Sequence, residues 1–150
     1  MKEQEIQKLV EKQRSWFFTG ATLNIEHRIQ ALTRLKTCII KYEKEISDAL
    51  HSDLKKSSFE SYMCEIGLVL SEITYMLKHI RHFARERSVP TPLAQFCSRS
   101  YQKPSPYGVV LIMSPWNYPF LLTMDPLIDA IAAGNTVIVK PSAYSPRTSK

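Results

Sequence analysis

Ile6, Leu9, Val10, Gln13 and Phe17 recur at three- and four-residue steps, which lays one stripe along a short amphipathic helix ending near Gly20. After Thr22 a longer stripe follows: Ile25, Ile29, Leu32, Leu35, Ile39, Tyr42, Ile46 and Leu50 predict a single second helix. A third is expected from about Glu60 to Glu86, with Ile66, Val69, Leu70, Ile73, Met76, Leu77, Ile80 and Phe83 on one face. Such stripes are core-facing packing, and no chemistry is assigned to them. The pattern changes at Val89. "VPTPLAQFCSRSYQKPSPYG" carries four prolines, which bar a helix, while "QFCSRSY" alternates as an exposed or edge strand does. At Gly108 a third pattern begins. "GVVLIM" is a continuous apolar run, as in a strand covered on both faces. "YPFLLTMDPLIDAIAAGN" reads as a helix, kinked near Asp125-Pro126 and closed by Gly134 and Asn135. "TVIVK" is a second buried strand. Strand, helix, strand makes one βαβ unit with parallel strands and a right-handed crossover, so the fold class is α/β. Ser145 and Pro146 have the chemistry of an N-cap and first helical residue, so a further helix is expected just before Lys150. A two-stranded parallel sheet is not a domain, and the chain reads as the front part of a longer protein.

Composition narrows the class. With 150 residues, 44% hydrophobic and 23% charged, the chain is long and apolar enough for a real core. No apolar run reaches the length of a transmembrane helix, and "MKEQEIQKLVEKQ" is too charged for a secretory signal. Cys38, Cys64 and Cys97 are odd in number and irregular in spacing, which argues for a reducing, cytoplasmic setting. The net charge of +6 raises the question of nucleic acid. Its Lys and Arg are scattered along helix faces, and the densest run, "KHIRHFARER", comes with no reading motif, so nucleic acid is not an expected partner.

The candidate chemistry is narrow. His27, His51, His79 and His82 lack the carboxylate or cysteine neighbours of a metal site, so no metal is expected. Cys38 and Cys64 fall in helical segments and are expected to be small buried hydrophobes; Cys97 has no local partner that would activate it. No P-loop, G-x-G-x-x-G or Ser/His/Asp signature is present. Ligands on open α/β sheets bind beyond the carboxyl ends of strands, where "MSPWNYP" and "KPSAYSP" fall. These offer the Asn117 amide, the Lys140 ammonium and the Ser142 hydroxyl. Equally, Trp116 packs, Asn117 caps the next helix, and Lys140 is a solvated strand end; Asn is among the best N-caps. The two readings stand level on physical grounds.

"GVVLIMSPWNYPFLLTMDPLIDAIAAGNTVIVKPS" resembles the start of the cofactor-binding domain of the NAD(P)-dependent aldehyde dehydrogenase superfamily, through P-W-N-[FY]-P followed by A-x-G-N-x-V-[IV]-x-K-P. "RIQALTRLK" and "ALHSDLKKSSFESYMCEIGLVLSEI" fit as well, most like the class 3-like branch acting on fatty and aromatic aldehydes. The resemblance implies a helical region over 1–88, a linker with an oligomerisation strand over 89–107, and the start of a Rossmann-like NAD(P) domain over 108–150. It implies that Asn117 donates to the oxyanion of a cysteine thiohemiacetal. It further implies that Ile112, Met113, Ser114, Pro115 and Trp116 border the nicotinamide of NAD or NADP, and that Lys140 contacts the adenosine ribose while Ser142 shapes the loop. Ala143 departs from the family's K-P-[SA]-E, whose glutamate disfavours a 2′-phosphate. The family's nucleophilic cysteine and general-base glutamate match no residue here. The full-length parent is then expected to be a homodimer acting on a small aldehyde, and the 150-residue chain to be inactive and self-associating. The competing expectation is a non-catalytic helical interaction module.

Overall fold

The computed structural model describes residues 3–150. Helices α1 (Glu3–Phe18), α2 (Ile25–Lys41), α3 (Glu43–Leu54), α4 (Ser58–Ser61) and α5 (Gly67–Phe83) precede strands β1 (Arg87–Val89), β2 (Ser100–Gln102) and β3 (Val109–Met113), then α6 (Leu121–Ala133) and β4 (Thr136–Lys140). The β3–α6–β4 unit is parallel, with Val109 opposite Thr136 and Met113 opposite Lys140. The α/β class is as expected.

The core joins the helical region to that unit. Leu32 and Ile39 of α2, Val69, Ile73 and Ile80 of α5, and Ile128 and Ala132 of α6 form one buried cluster. Each large aliphatic in it contributes about 1.5–3 kcal/mol of burial. Helix α1 packs on β3 and β4. At the far end of α6, Arg28 donates to the carbonyls of Thr22 (2.5 Å), Leu23 (3.1 Å) and Ala132 (3.2 Å). Gly134 closes α6 at φ 92°, and a Cβ there would lie 2.6 Å from the Arg28 guanidinium, so both backbone and space demand glycine.

Four expectations need correction. The second helix is two: Tyr42, at φ −106° and ψ 20°, separates α2 from α3. The apolar steps continue through the junction, so periodicity alone does not register one off-helix residue. The strand expected over "QFCSRSY" is confined to Ser100–Gln102, which pairs antiparallel with Arg87–Val89; a 3₁₀ turn occupies Leu93–Gln95. Cys38 is exposed on α2 and Cys64 only partly buried. No helix follows Ser145. Residues 142–149 form successive turns, and the amides of Arg147 and Thr148 donate to the Asp53 carboxylate of α3 at 2.8–3.1 Å. The Ser145 side chain turns inward instead, fully buried.

Glu72 of α5 faces Asp125 and Asp129 of α6, and all three carboxyls lie above their ordinary range, through burial first and then through one another's charge. The exception in detail is Asp129, which the hydrogen bond to Glu72 pulls partly back. The folded state therefore holds these protons more tightly than the unfolded chain does. Stability from this source is complete below the ordinary carboxylate range and is lost as pH rises through the raised values. Glu72→Gln is accordingly expected to stabilise the chain by about 0.5 kcal/mol at pH 7 and to have no effect near pH 3, read from urea midpoints at the two pH values.

Candidate active site

The parallel register makes two loops leave the sheet side by side. Pairing extends one step past β3, where the Ser114 amide donates to the Lys140 carbonyl at 3.3 Å. From there the first loop runs through Pro115, Trp116, Asn117, Tyr118 and Pro119 into α6, and the second runs through Pro141 to Ser145. The Thr123 hydroxyl bridges the Pro119 carbonyl (2.5 Å) and the Ser114 hydroxyl (2.7 Å), tying the start of the first loop to its end.

Asn117 lies exposed on this loop, and its side chain has no hydrogen bond among the described residues. It does not cap α6. Glu65, fully buried, does: its Oε2 accepts from the amides of Phe120 (2.9 Å) and Leu121 (3.1 Å). The other oxygen of Glu65 lies 2.5 Å from Lys56 Nζ, a pair with only 7% of Lys56 exposed. Lys56 in turn donates to the Asn117 carbonyl at 3.4 Å and sits 4.0 Å above the Tyr118 ring. One buried ion pair thus grips the loop by its backbone and its aromatic neighbour, and leaves the Asn117 amide free. The capping explanation of Asn117 falls away, because another residue performs that task.

The remaining residues divide by accessibility. Met113, Pro115 and Trp116 are exposed, Ser114 is half-buried, and Ile112 is buried beneath the strand end, so Ile112 supports the site rather than lining it. Lys140 ends β4 exposed, with no ion pair or side-chain hydrogen bond among the described residues. Ser142 is buried, its hydroxyl accepting from the Tyr144 amide at 3.2 Å and its carbonyl accepting from the Ser149 hydroxyl at 2.8 Å, so it braces the loop. Ala143 is exposed, and no acidic side chain occurs among residues 141–150. A free cation at a strand end, with no carboxylate beside it, fits a cofactor carrying ribose hydroxyls or phosphate. Among the described residues, no group of three or more His, Cys, Asp or Glu side chains is placed to hold a metal ion. A cleft of about 750 Å³ exists, but Ala132 and Ala133 at the opposite end of α6 line it, away from Asn117.

Sequence reasoning missed Lys56 and Glu65. A signal was present: Glu65 sits beside Ile66 at the head of the α5 stripe, and a carboxylate on an apolar face needs a buried partner. Which partner it finds depends on residues 55 positions away and cannot be read locally.

Comparison with known proteins points the same way. The profile of the aldehyde dehydrogenase family matches residues 1–150. The chain is 43% identical over 137 residues to the 4,4'-diaponeurosporen-aldehyde dehydrogenase of Staphylococcus aureus, covering 91% of this chain and 30% of that protein. It is 39% identical over 145 residues to aldehyde dehydrogenase family 3 member A2 of Rattus norvegicus, covering 97% of this chain and 30% of that protein. Against the substrate-bound structure of Staphylococcus aureus AldH the TM-score is 0.90 at 41% identity, over 99% of this chain and 32% of that one. The chain thus spans about a third or less of the length of the relatives it matches. With a match along the whole of its length, the chain belongs to the aldehyde dehydrogenase family.

Proposed function

We propose that this chain is the amino-terminal part of an NAD(P)-dependent aldehyde dehydrogenase, converting aldehyde and water to carboxylic acid, and that it supplies the oxyanion donor. One observation carries the reading: an exposed, uncommitted Asn117 amide on a loop fixed at both ends, beyond the carboxyl end of a parallel strand. When a cysteine thiolate from the rest of the enzyme adds to the aldehyde carbon, the carbonyl oxygen gains negative charge. The Asn117 N–H donates to that oxygen, and the donor is already oriented, so no reorganisation is needed as charge develops. Pro115 and Pro119 limit the backbone on either side.

NAD or NADP, when bound, accepts the hydride. In this chain Lys140 would meet its adenosine ribose or 2′-phosphate, the loop of Pro141, Ser142 and Ala143 would shape that end, and Met113, Ser114, Pro115 and Trp116 over buried Ile112 would border the nicotinamide. Because position 143 is alanine, no carboxylate repels a 2′-phosphate. The parent enzyme is expected to use NAD and NADP with comparable efficiency, and Ala143→Glu to shift kcat/KM toward NAD by roughly tenfold, about 1.4 kcal/mol. Equal preference ratios in parent and variant would remove the role given to position 143.

The three free thiols accord with a reducing, cytoplasmic setting. The helical region, the 89–107 linker and the βαβ start serve as successive parts of one enzyme subunit, which would assemble as a homodimer. Leu111 and Met113 leave 60% and 69% of their surface uncovered on the β3 strand, which favours self-association of the isolated chain. The test is aldehyde-dependent NAD(P)H formation, assayed for the 150-residue chain and for the full-length enzyme that it begins. Activity in the longer protein alone supports the proposal; turnover by the 150-residue chain, or none by the longer one, overturns it.

A further inference from the structure

Helices α4 and α5 form one continuous rod with a flaw in it. Tyr62–Ile66 is a π-helical turn, in which the Gly67 amide donates to the Tyr62 carbonyl. Such a turn inserts one residue into the rod and shifts the inward face by about a third of a turn. Ser61 and Glu65 point inward in the register before it, and Ile66, Val69 and Ile73 in the register after it; all five are fully buried. Without the insertion, Glu65 and Ile66, adjacent in sequence, could not both lie on the buried face. Gly67 is what permits it. A Cβ at position 67 would stand 2.9 Å from the Tyr62 carbonyl oxygen and 3.2 Å from its ring, closer than side-chain carbons approach.

The other partner is placed by an unusual backbone as well. Lys55 ends α3 in the left-handed conformation, φ 58° and ψ 20°, its amide donating to the His51 carbonyl. This turns the chain so that Lys56 runs inward while Lys55 stays in solvent. His51 then holds the Lys56 carbonyl at 2.9 Å. Two local departures from regular helix, at Lys55 and at Tyr62–Ile66, therefore converge on one buried ion pair. That pair meets the loop of Asn117 and the first amides of α6 and no other element.

We infer that Lys56 and Glu65 are positioning residues for the oxyanion donor, with the π turn at Tyr62–Ile66 setting Glu65 and Lys56 holding the Asn117 carbonyl and the Tyr118 ring, so that the Asn117 amide keeps one direction. The inference rests on the role proposed for Asn117. A peptide plane gripped at its carbonyl, with the following helix start fixed from the same carboxylate, has little freedom to rotate. A misplacement of about 1 Å at a reacting centre can lower a rate roughly 100-fold.

The experiment is a double-mutant cycle in the full-length enzyme, with rates referred to titrated active sites. Lys56→Met with Glu65→Gln removes both charges together, and the glutamine oxygen still accepts from the α6 amides. The combined variant is expected to lower kcat by roughly 10- to 100-fold with KM within about threefold. In an Asn117→Ala background the same pair of changes is expected to cost less than about twofold, because the group they position is gone. Lys56→Arg, which preserves the charge facing Glu65, is expected to show the same dependence on Asn117 at smaller amplitude, and serves should the neutral pair fold poorly. An equal fold-loss in both backgrounds would make the pair a general structural element and overturn the inference. So would an unchanged kcat in the wild-type background. A normal rate in Asn117→Ala alone would instead overturn the role of Asn117, and the inference with it.

Discussion

Asn117→Ala is expected to lower kcat/KM of the full-length enzyme by about 100- to 1000-fold, or about 2.7–4 kcal/mol of transition-state stabilisation. The magnitude follows from what the donor does. In the ground state the aldehyde oxygen is neutral and gains little from one more N–H; in the tetrahedral adduct it is an anion. The lost interaction belongs to the transition state, so kcat and kcat/KM should fall together, with KM little changed. The fold should not notice the change. Asn117 is exposed and its side chain bonds to no described residue, so the urea midpoint of the variant should match the wild type within about 0.5 kcal/mol. Loss of activity together with loss of stability would mean that Asn117 has a structural duty.

Glu65→Leu is the converse case, expected to destabilise the fold by about 3–5 kcal/mol. Leucine fills a similar volume, so the cost is electrostatic rather than a cavity. The Lys56 ammonium would keep the Tyr118 ring and the Asn117 carbonyl but lose its counter-ion at a site where only 7% of its surface meets water. The Phe120 and Leu121 amides would also lose their acceptor at the start of α6. Glu65→Gln should cost less, because an amide oxygen still accepts from both. Urea unfolding of the three proteins reads the order: wild type, then Gln, then Leu. Leucine equal to wild type would show that Glu65 does not cap α6.

How much of this could be read from the chain depends on how far apart the partners lie. The stripes of α1, α2 and α5 and the apolar runs of β3 and β4 repeat at short steps, and each emerged close to its expected place. Tyr42 escaped because the stripe runs straight across the helix junction. The β1–β2 hairpin escaped because its second strand is three residues long and its first lies at a charged helix end. Ser145 misled in an instructive way. Its local text is that of an N-cap, yet the acceptor for the next amides is Asp53, 94 residues earlier. That carboxyl is itself affected: burial pushes it up, and the hydrogen bonds from Thr148 and Arg147 more than offset this, leaving it below its ordinary value. The stability it contributes is present above the ordinary Asp range and is lost as pH falls through the depressed value. Asn117 was legible as a residue to watch but not as a donor, since capping explained it equally well until Glu65 was seen in that position. In both cases the ambiguity was local and the resolution came from a carboxylate distant in sequence.

Steady-state rates can be governed by product release, which would mask the step in which Asn117 acts. The most direct measurement is therefore the single-turnover rate of hydride transfer, followed by NAD(P)H absorbance with enzyme in excess over aldehyde, in the full-length enzyme and its Asn117→Ala variant. A fall of about 100-fold or more, at unaltered stability and cofactor affinity, is the predicted result. Hydride transfer at the wild-type rate in the variant would contradict the account, because the amide freed by Lys56 and Glu65 would then have no oxyanion to meet.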